Sequence, residues 1–434
     1  MKILRYLPLL VLAIATTSAA ENDRQVVPQT GVRLELEGIL ARPAIGLADL
    51  FRIAELTNPD LAVARIEVQA RTGRMRQAGL YPNPELSFEI EEMSVDDPSF
   101  NKQKVEFSQA LLIGGRRGAA VDAARAEVDQ AGENALRARR EALGRVHKWW
   151  ADQIHHREVG AVFDELEAEA ERTLAIAMTR FEAKAAPEAH VTRAMLEVYD
   201  LEVARQEFEA EKVRSSAEMK VIFGGVEVPA DRLTGSLDPD AEVASLPHDI
   251  AAEMDDHPAL RAARLGVEAA EAMLVTAKKE RIPDLNLFLA YGRFQPIEGN
   301  FVEGGISFPL PIFHRNQGRV AETGSMVAMA RHRERIAANE LEVALSSARL
   351  KHRTTHERLD HLAERIVPAA ERALVQAREA YRAGRLMFLE LVDAQRTYIE
   401  VHLRTMELRR DLALAEADLM SLLGAGHYAD IGEE

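Results

Sequence analysis

The chain has 434 residues, a formal net charge of -16 and only 5% aromatic residues. That acidic balance excludes a nucleic-acid partner, which needs a basic footprint. There is no cysteine, which excludes a disulfide framework, thiol catalysis and a cysteine-bound metal centre.

Residues 1–20, MKILRYLPLLVLAIATTSAA, read as a secretory signal peptide. Lys2 and Arg5 supply the positive start, Leu7–Ile14 the short apolar core, and Ser18-Ala19-Ala20 the small residues of a cleavage site. The apolar run is far shorter than the ~20 residues a membrane-spanning helix needs. No later stretch is a candidate for such a helix. Residues 21–46 contain Pro28, Gly31, Pro43 and Gly46 and are expected to form an extended segment.

Leu47–Leu80 has a helical pattern with a break expected at Asn58-Pro59. Two alternating segments come after it. Leu86, Phe88 and Ile90 oppose Ser87, Glu89 and Glu91, and Val105, Phe107 and Leu111 oppose Lys104, Glu106 and Ser108. A period of two predicts strands with unlike surroundings on their two faces, over about 84–93 and 103–113. The polar loop Ser94–Lys102 joins them, and Gly114-Gly115 ends the second.

A helix of about 65 residues, Arg117–Glu182, comes next; at ~1.5 Å per residue it reaches roughly 100 Å. Its first part carries Val121, Ala124, Val128, Ala131, Ala135, Ala138 and Ala142, the three-four spacing of a coiled-coil seam. Ala183–Pro187 interrupts the run, a further helix continues to Phe223, and residues 225–247 read as a linker.

The pattern then starts again. Asn58-Pro59 matches His257-Pro258, Pro84-Glu85-Leu86 matches Pro283-Asp284-Leu285, and Arg116 matches Arg315, all 199 residues apart. After one inserted residue the spacing is 200, as in Gly118 with Gly318, Ala183 with Ala383 and Gly224 with Gly424. The chain is therefore two copies of one helix–hairpin–helix module, 47–224 and 248–424, with a tail at 425–434. The period is too long for a solenoid unit. The second hairpin falls at about 284–293 and 301–311, where Leu285, Leu287, Leu289 and Tyr291 share one face and Val302, Ile306, Phe308 and Leu310 another. Pro368 interrupts the second long helix, so a restart is expected there.

Each strand is near the ~9–11 residues that cross a bilayer when tilted. Four strands cannot close a barrel on their own, and open edges in lipid leave backbone groups unsatisfied. Several chains must therefore share one barrel.

The runs Gly304–Gly318 (GGISFPLPIFHRNQG), Tyr381–Arg396 (YRAGRLMFLELVDAQR), Leu47–Leu61 (LADLFRIAELTNPDL) and Ser108–Arg117 (SQALLIGGRR) resemble those of the TolC-type outer-membrane efflux proteins. Pro309–Gly318 is similar in particular to the cobalt–zinc–cadmium (CzcC-type) branch. The resemblance implies a mainly α chain with a membrane β-barrel, in a homotrimer whose twelve-stranded barrel continues into a long helical tunnel in the periplasm. It implies a passive duct held in outer-membrane lipid, with a periplasmic adaptor (a membrane fusion protein) and an inner-membrane RND-type pump as partners. The cargo it implies is divalent heavy-metal cations, with drugs or a secreted polypeptide as the alternative. Some relatives carry a lipid on an N-terminal cysteine, which this chain lacks. A soluble periplasmic adaptor is the competing class, but an adaptor should flank one helical hairpin with β-rich domains rather than embed strands in two modules.

Glu390 and Asp393, three residues apart, share a helix face. The resemblance places them at the periplasmic entrance, where a trimer would gather six carboxylates that favour cations. On spacing alone they are acidic residues near a helix N-terminus, favoured by the helix dipole. The first copy has His190 and Arg193 at the matching positions. Tyr381 matches a position that helps hold the entrance closed, with Arg385 one place from where its basic partner is expected. His352 with His356, and His155-His156, read as solvated helix surface rather than a metal site. No catalytic motif and no cofactor-binding motif is present: GxxxxGK[ST], HExxH and GxSxG are all missing.

Overall fold

The computed structural model describes residues 29–91, 101–238, 254–295 and 299–424. The expected signal peptide, most of the Ser94–Lys102 loop, the end of the expected linker and the tail lie outside them. Helices α1 (Gln29–Leu40), α2 (Leu47–Thr57) and α3 (Pro59–Ala78) come first. Helix α1 corrects the expectation of an extended segment over 21–46. Its Leu36, Ile39 and Leu40 fall on one face and pack on the core, and Arg33 pairs with Glu37 one turn on at 2.8 Å. That burial outweighs the helix-weakening glycines at 31 and 38.

Asn58 ends α2 and caps α3. Its Oδ1 accepts from the backbone N–H of Asp60 (2.9 Å) and Leu61 (3.2 Å), and Pro59 follows where a missing N–H costs nothing. Its Nδ2 donates to the carbonyl of Ile222 at 2.8 Å.

Strands β1 (Glu85–Glu91) and β2 (Asn101–Leu111) lead into α4 (Arg116–Glu182) and α5 (Glu188–Ile222). The second module has α6 (Pro258–Lys279), β3 (Leu285–Gln295), β4 (Gly299–Ser307), α7 (Gln317–His361), α8 (Val367–Arg382) and α9 (Phe388–Leu423). Between α7 and α8 the residues Leu362–Ile366 form a π-helical turn, so Pro368 falls in the first turn of α8. The wider turn lets the helix pass its proline without a gap.

The duplication repeats in three dimensions. His257, matching Asn58, caps α6: its Nδ1 accepts from the Ala259 N–H at 3.1 Å. The Leu422 backbone hydrogen-bonds the same ring, as Ile222 bonds Asn58. Burial pushes the His257 pKa down to about 4, which keeps the ring neutral and able to accept.

The strands form one antiparallel sheet in the order β1-β2-β3-β4. Leu86 pairs with Phe107, Ser87 with Glu106, Phe107 with Leu289, and Asn286 with Ser307. The alternation is realised as two faces. Leu86, Phe88, Ile90, Phe107, Leu289, Tyr291, Val302 and Ile306 stand exposed on one. The other is charged and internally paired: Lys104 Nζ lies 2.9 Å from both Glu89 and Glu91, and Lys102 Nζ 2.7 Å from Glu303. Gly292 and Gly305 leave room on that face for the rings of Phe301 and Phe288. The fourth strand ends at Ser307, short of the expected 311, because Pro309 and Pro311 have no N–H for the ladder. Phe308 and Leu310 therefore belong to the connection into α7. In β2 and β3 the ladder runs a little beyond the expected bounds, from Asn101 and to Gln295.

The largest core cluster lies where α1, α2 and the post-α5 segment meet α4 and α9 around Trp149 and Trp150. The expected linker is anchored there: Val228, Leu233 and Leu237 are buried, and Leu233 forms a parallel bridge with Ile45. Gly235, at φ 134, passes so close to Trp150 that a Cβ would sit 2.1 Å from its ring.

Candidate functional site

Two turns, 183–187 and 383–387, reverse the long helices of the two modules. Each has a left-handed residue at the equivalent place, Lys184 at φ 58 and Gly384 at φ 70. The turns lie against each other, and Tyr381 from the last turn of α8 is buried between them at 2% exposure.

Four side chains from four helices build this junction. Arg180 of α4 lays its guanidinium over the Tyr381 ring, 4.5 Å from its centre, and Nη1 donates to the Tyr381 carbonyl. His190 of α5 brings Nδ1 within 3.0 Å of the Tyr381 hydroxyl. Phe388, first residue of α9, stacks on His190 with centroids 4.6 Å apart and planes at 13°. Leu374, Leu391, Val392, Ile176 and Ala194 close the cluster from below. Burial raises the Tyr381 pKa, with Arg180 acting in the opposite sense. The His190 pKa is lowered, first by burial and then by Arg180 and Arg193.

The four residues singled out from sequence divide. Tyr381 sits at the junction. Glu390 and Asp393 are both exposed on α9, apart from the Tyr381 cluster. Glu390 Oε2 accepts from the Met387 N–H at 3.1 Å, so it also caps its own helix. Arg385 is exposed, and the guanidinium over Tyr381 belongs to Arg180. Sequence reasoning missed Arg180, although the 200-residue spacing of Phe181 and Tyr381 pointed at its neighbour. It noted His190 as the counterpart of Glu390 but gave it no role.

Two ion pairs brace the helices behind the junction. Arg378 of α8 meets the buried Glu169 of α4, and Arg396 of α9 takes Glu197 of α5 with Nε at 2.9 Å from both carboxylate oxygens. The histidine pair His155-His156 is not solvated surface: both are buried against Phe208, and burial brings the His155 pKa down to about 4. His352 Nε2 stands 3.7 Å from Glu416 and His356 Nδ1 3.0 Å from Asp360. Among the described residues no cluster of three or more His, Asp or Glu side chains is placed to hold a metal ion. No described helix is long and apolar enough to cross a membrane.

With this geometry established, the chain can be set beside known proteins. The model of the family described as outer membrane efflux protein matches residues 50–225 and 253–425, once for each module. The cobalt-zinc-cadmium resistance protein CzcC of Cupriavidus metallidurans is 22% identical over 431 residues, covering 96% of this chain and 99% of that protein. The fold is similar to the crystal structure of CusC, with a TM-score of 0.76 and 15% identity over 88% of this chain and 92% of that one. It is also similar to the outer membrane protein VceC of Vibrio cholerae, with a TM-score of 0.71 and 17% identity over 88% and 96% of the two chains.

Proposed function

The chain belongs to the outer membrane efflux protein family, and from that premise we propose that it is the outer-membrane duct of a tripartite efflux system, exporting divalent heavy-metal cations. The observation that carries the duct is the sheet. It has an apolar outer face, a charged inner face and open edges at β1 and β4, and it is joined to helices of which α4 alone is about 100 Å long. Three chains joined edge to edge satisfy those edges and enclose the charged face as a lumen. The helices then continue the lumen into the periplasm, where a periplasmic adaptor and an inner-membrane RND-type pump complete the route. The duct is passive, and the pump supplies the energy.

The choice of cargo rests on the similarity to CzcC, which runs over 96% of this chain and 99% of that protein. Glu390 and Asp393 would form the cation-favouring ring of the periplasmic entrance, and Tyr381 would hold that entrance closed. Arg385, exposed beside Gly384, would stand at the rim.

Deletion of the gene, followed by sensitivity tests with zinc, cobalt and cadmium beside a panel of dyes and detergents, tests the cargo. Selective metal sensitivity is expected. Sensitivity to dyes alone would assign the same duct to organic toxicants. Fractionation tests the duct itself, and recovery in the soluble periplasm would refute it.

A further inference from the structure

The junction around Tyr381 holds a residue that can change charge near neutral pH, and its role rests on the reading of Tyr381 as a closing element. We propose that His190 is the positioning residue that keeps Tyr381 seated between the two turns, and that it does so only while its imidazole is neutral, so that the entrance loosens in acid.

The seat is built from both modules. His190 lies in the first turn of α5, where its own N–H bonds the Pro187 carbonyl at 3.1 Å, so the ring is held close to the turn. One ring face stacks on Phe388, and Nδ1 meets the Tyr381 hydroxyl at 3.0 Å. The only polar group of the Tyr381 side chain is that hydroxyl. A neutral imidazole with its proton on Nε2 offers Nδ1 as the acceptor that the hydroxyl needs. An imidazolium has no acceptor left, and the hydroxyl must turn to receive a proton instead.

The charges around the ring oppose that second state. From α4, Arg180 lies over Tyr381; from α5 itself, Arg193 follows one turn on. From α8 the facing group is the Tyr381 hydroxyl, and from α9 the uncharged Phe388 ring. Stacking on Phe388 favours an imidazolium modestly. Burial, the largest cause, and the two like charges act against it and lower the His190 pKa below its ordinary 6.5. A group lowered in the seated state takes up its proton more readily once released. The seat is thus fully held above about pH 6.5 and is progressively lost as pH falls through the lowered value. Charging His190 also sets a third positive group beside Arg180 and Arg193, which disfavours keeping the ring in its seat.

The test uses the full-length trimer in planar bilayers, with conductance recorded from pH 8 to pH 5. Three proteins are compared: native, His190→Gln and Tyr381→Phe. Glutamine keeps a hydrogen-bonding group at the position but does not titrate. Tyr381→Phe keeps the ring and removes the hydroxyl, so it reports on the closing role of Tyr381 alone. For the native protein, the open-to-closed ratio is expected to rise as pH falls below about 6.5, by at most about tenfold per pH unit, the limit for one linked proton. His190→Gln is expected to be flat over the same range, and Tyr381→Phe to raise conductance already at pH 8. A native profile without a pH step, or a His190→Gln profile that keeps the step, overturns the role of His190 while Tyr381→Phe still supports the closing role of Tyr381. Unchanged conductance in Tyr381→Phe overturns the closing role itself and the inference with it.

Discussion

Lys184 and Gly384 occupy the same left-handed backbone position in two copies of one turn, at φ 58 and φ 70. A lysine Cβ is crowded by its own backbone there, whereas glycine has no such steric cost. Around Gly384 an added Cβ would meet nothing closer than the Arg180 guanidinium at 3.6 Å, which is ordinary contact. The difference between the two residues is therefore one of backbone strain rather than space. Lys184→Gly is expected to stabilise the turn by about 0.5–1 kcal/mol, part of the relief being offset by the greater freedom of glycine in the unfolded chain. Gly384→Ala is expected to cost about 1 kcal/mol. Thermal unfolding of the detergent-solubilised protein should show shifts of opposite sign for the two changes. Equal signs would mean that contacts at the turn, not φ, decide the matter.

At the scale of elements, α8 is fastened to α4 by Arg378 and Glu169. Both side chains are largely buried, and Arg172 also reaches Glu169, at 3.0 Å. Burial lowers the Arg378 pKa, so this ion pair forms at a cost in desolvation. Arg378→Met leaves the Glu169 carboxylate buried with only Arg172 and is expected to destabilise by about 3 kcal/mol. The double change Arg378→Met with Glu169→Leu should recover most of that loss, and a thermal-denaturation cycle of the four proteins measures it. If the double variant is as unstable as the single one, the pair is not what fastens the helices. The same scale shows which parts of the fold could be read from sequence. Strands and helix ends were legible because their causes are local: alternation at 86–91, Asn58-Pro59 as a break, and Gly224 and Gly424 as stops. The spacing of 199 to 200 residues exposed the duplication. Helix α1 was hidden because its stability comes from Leu36, Ile39 and Leu40 meeting partners far along the chain. Arg180 was hidden for a similar reason, since its partner Tyr381 is 201 residues away. The burial of His155 and His156 depends on Phe208 from another helix, and no pattern local to the histidines reports it.

The whole molecule adds what one chain cannot express. Glu390 and Asp393 are exposed, and within a single chain their contributions are local: Glu390 caps its own helix and Asp393 acts on Arg396. Their effect would come from threefold repetition, which gathers six carboxylates around one opening and raises the local cation concentration. A bulk net charge of -16 does not itself produce this, because charges farther apart than about 8 Å are largely screened at physiological ionic strength. The expected consequence is a selectivity that depends on two positions. Glu390→Gln with Asp393→Asn should lower the cation-to-anion permeability ratio in planar bilayers, while the size of the open pore stays the same. Glutamine retains an acceptor for the Met387 N–H, so the helix start survives and the change in charge is isolated. The native preference should itself shrink as salt rises from 0.1 M toward 1 M, where the Debye length falls from about 10 to about 3 Å. A neutralised variant with native selectivity would remove these residues from the entrance. A native channel whose preference ignored salt would instead assign selectivity to the internally paired charges of the barrel wall, Lys102, Lys104 and the glutamates around them.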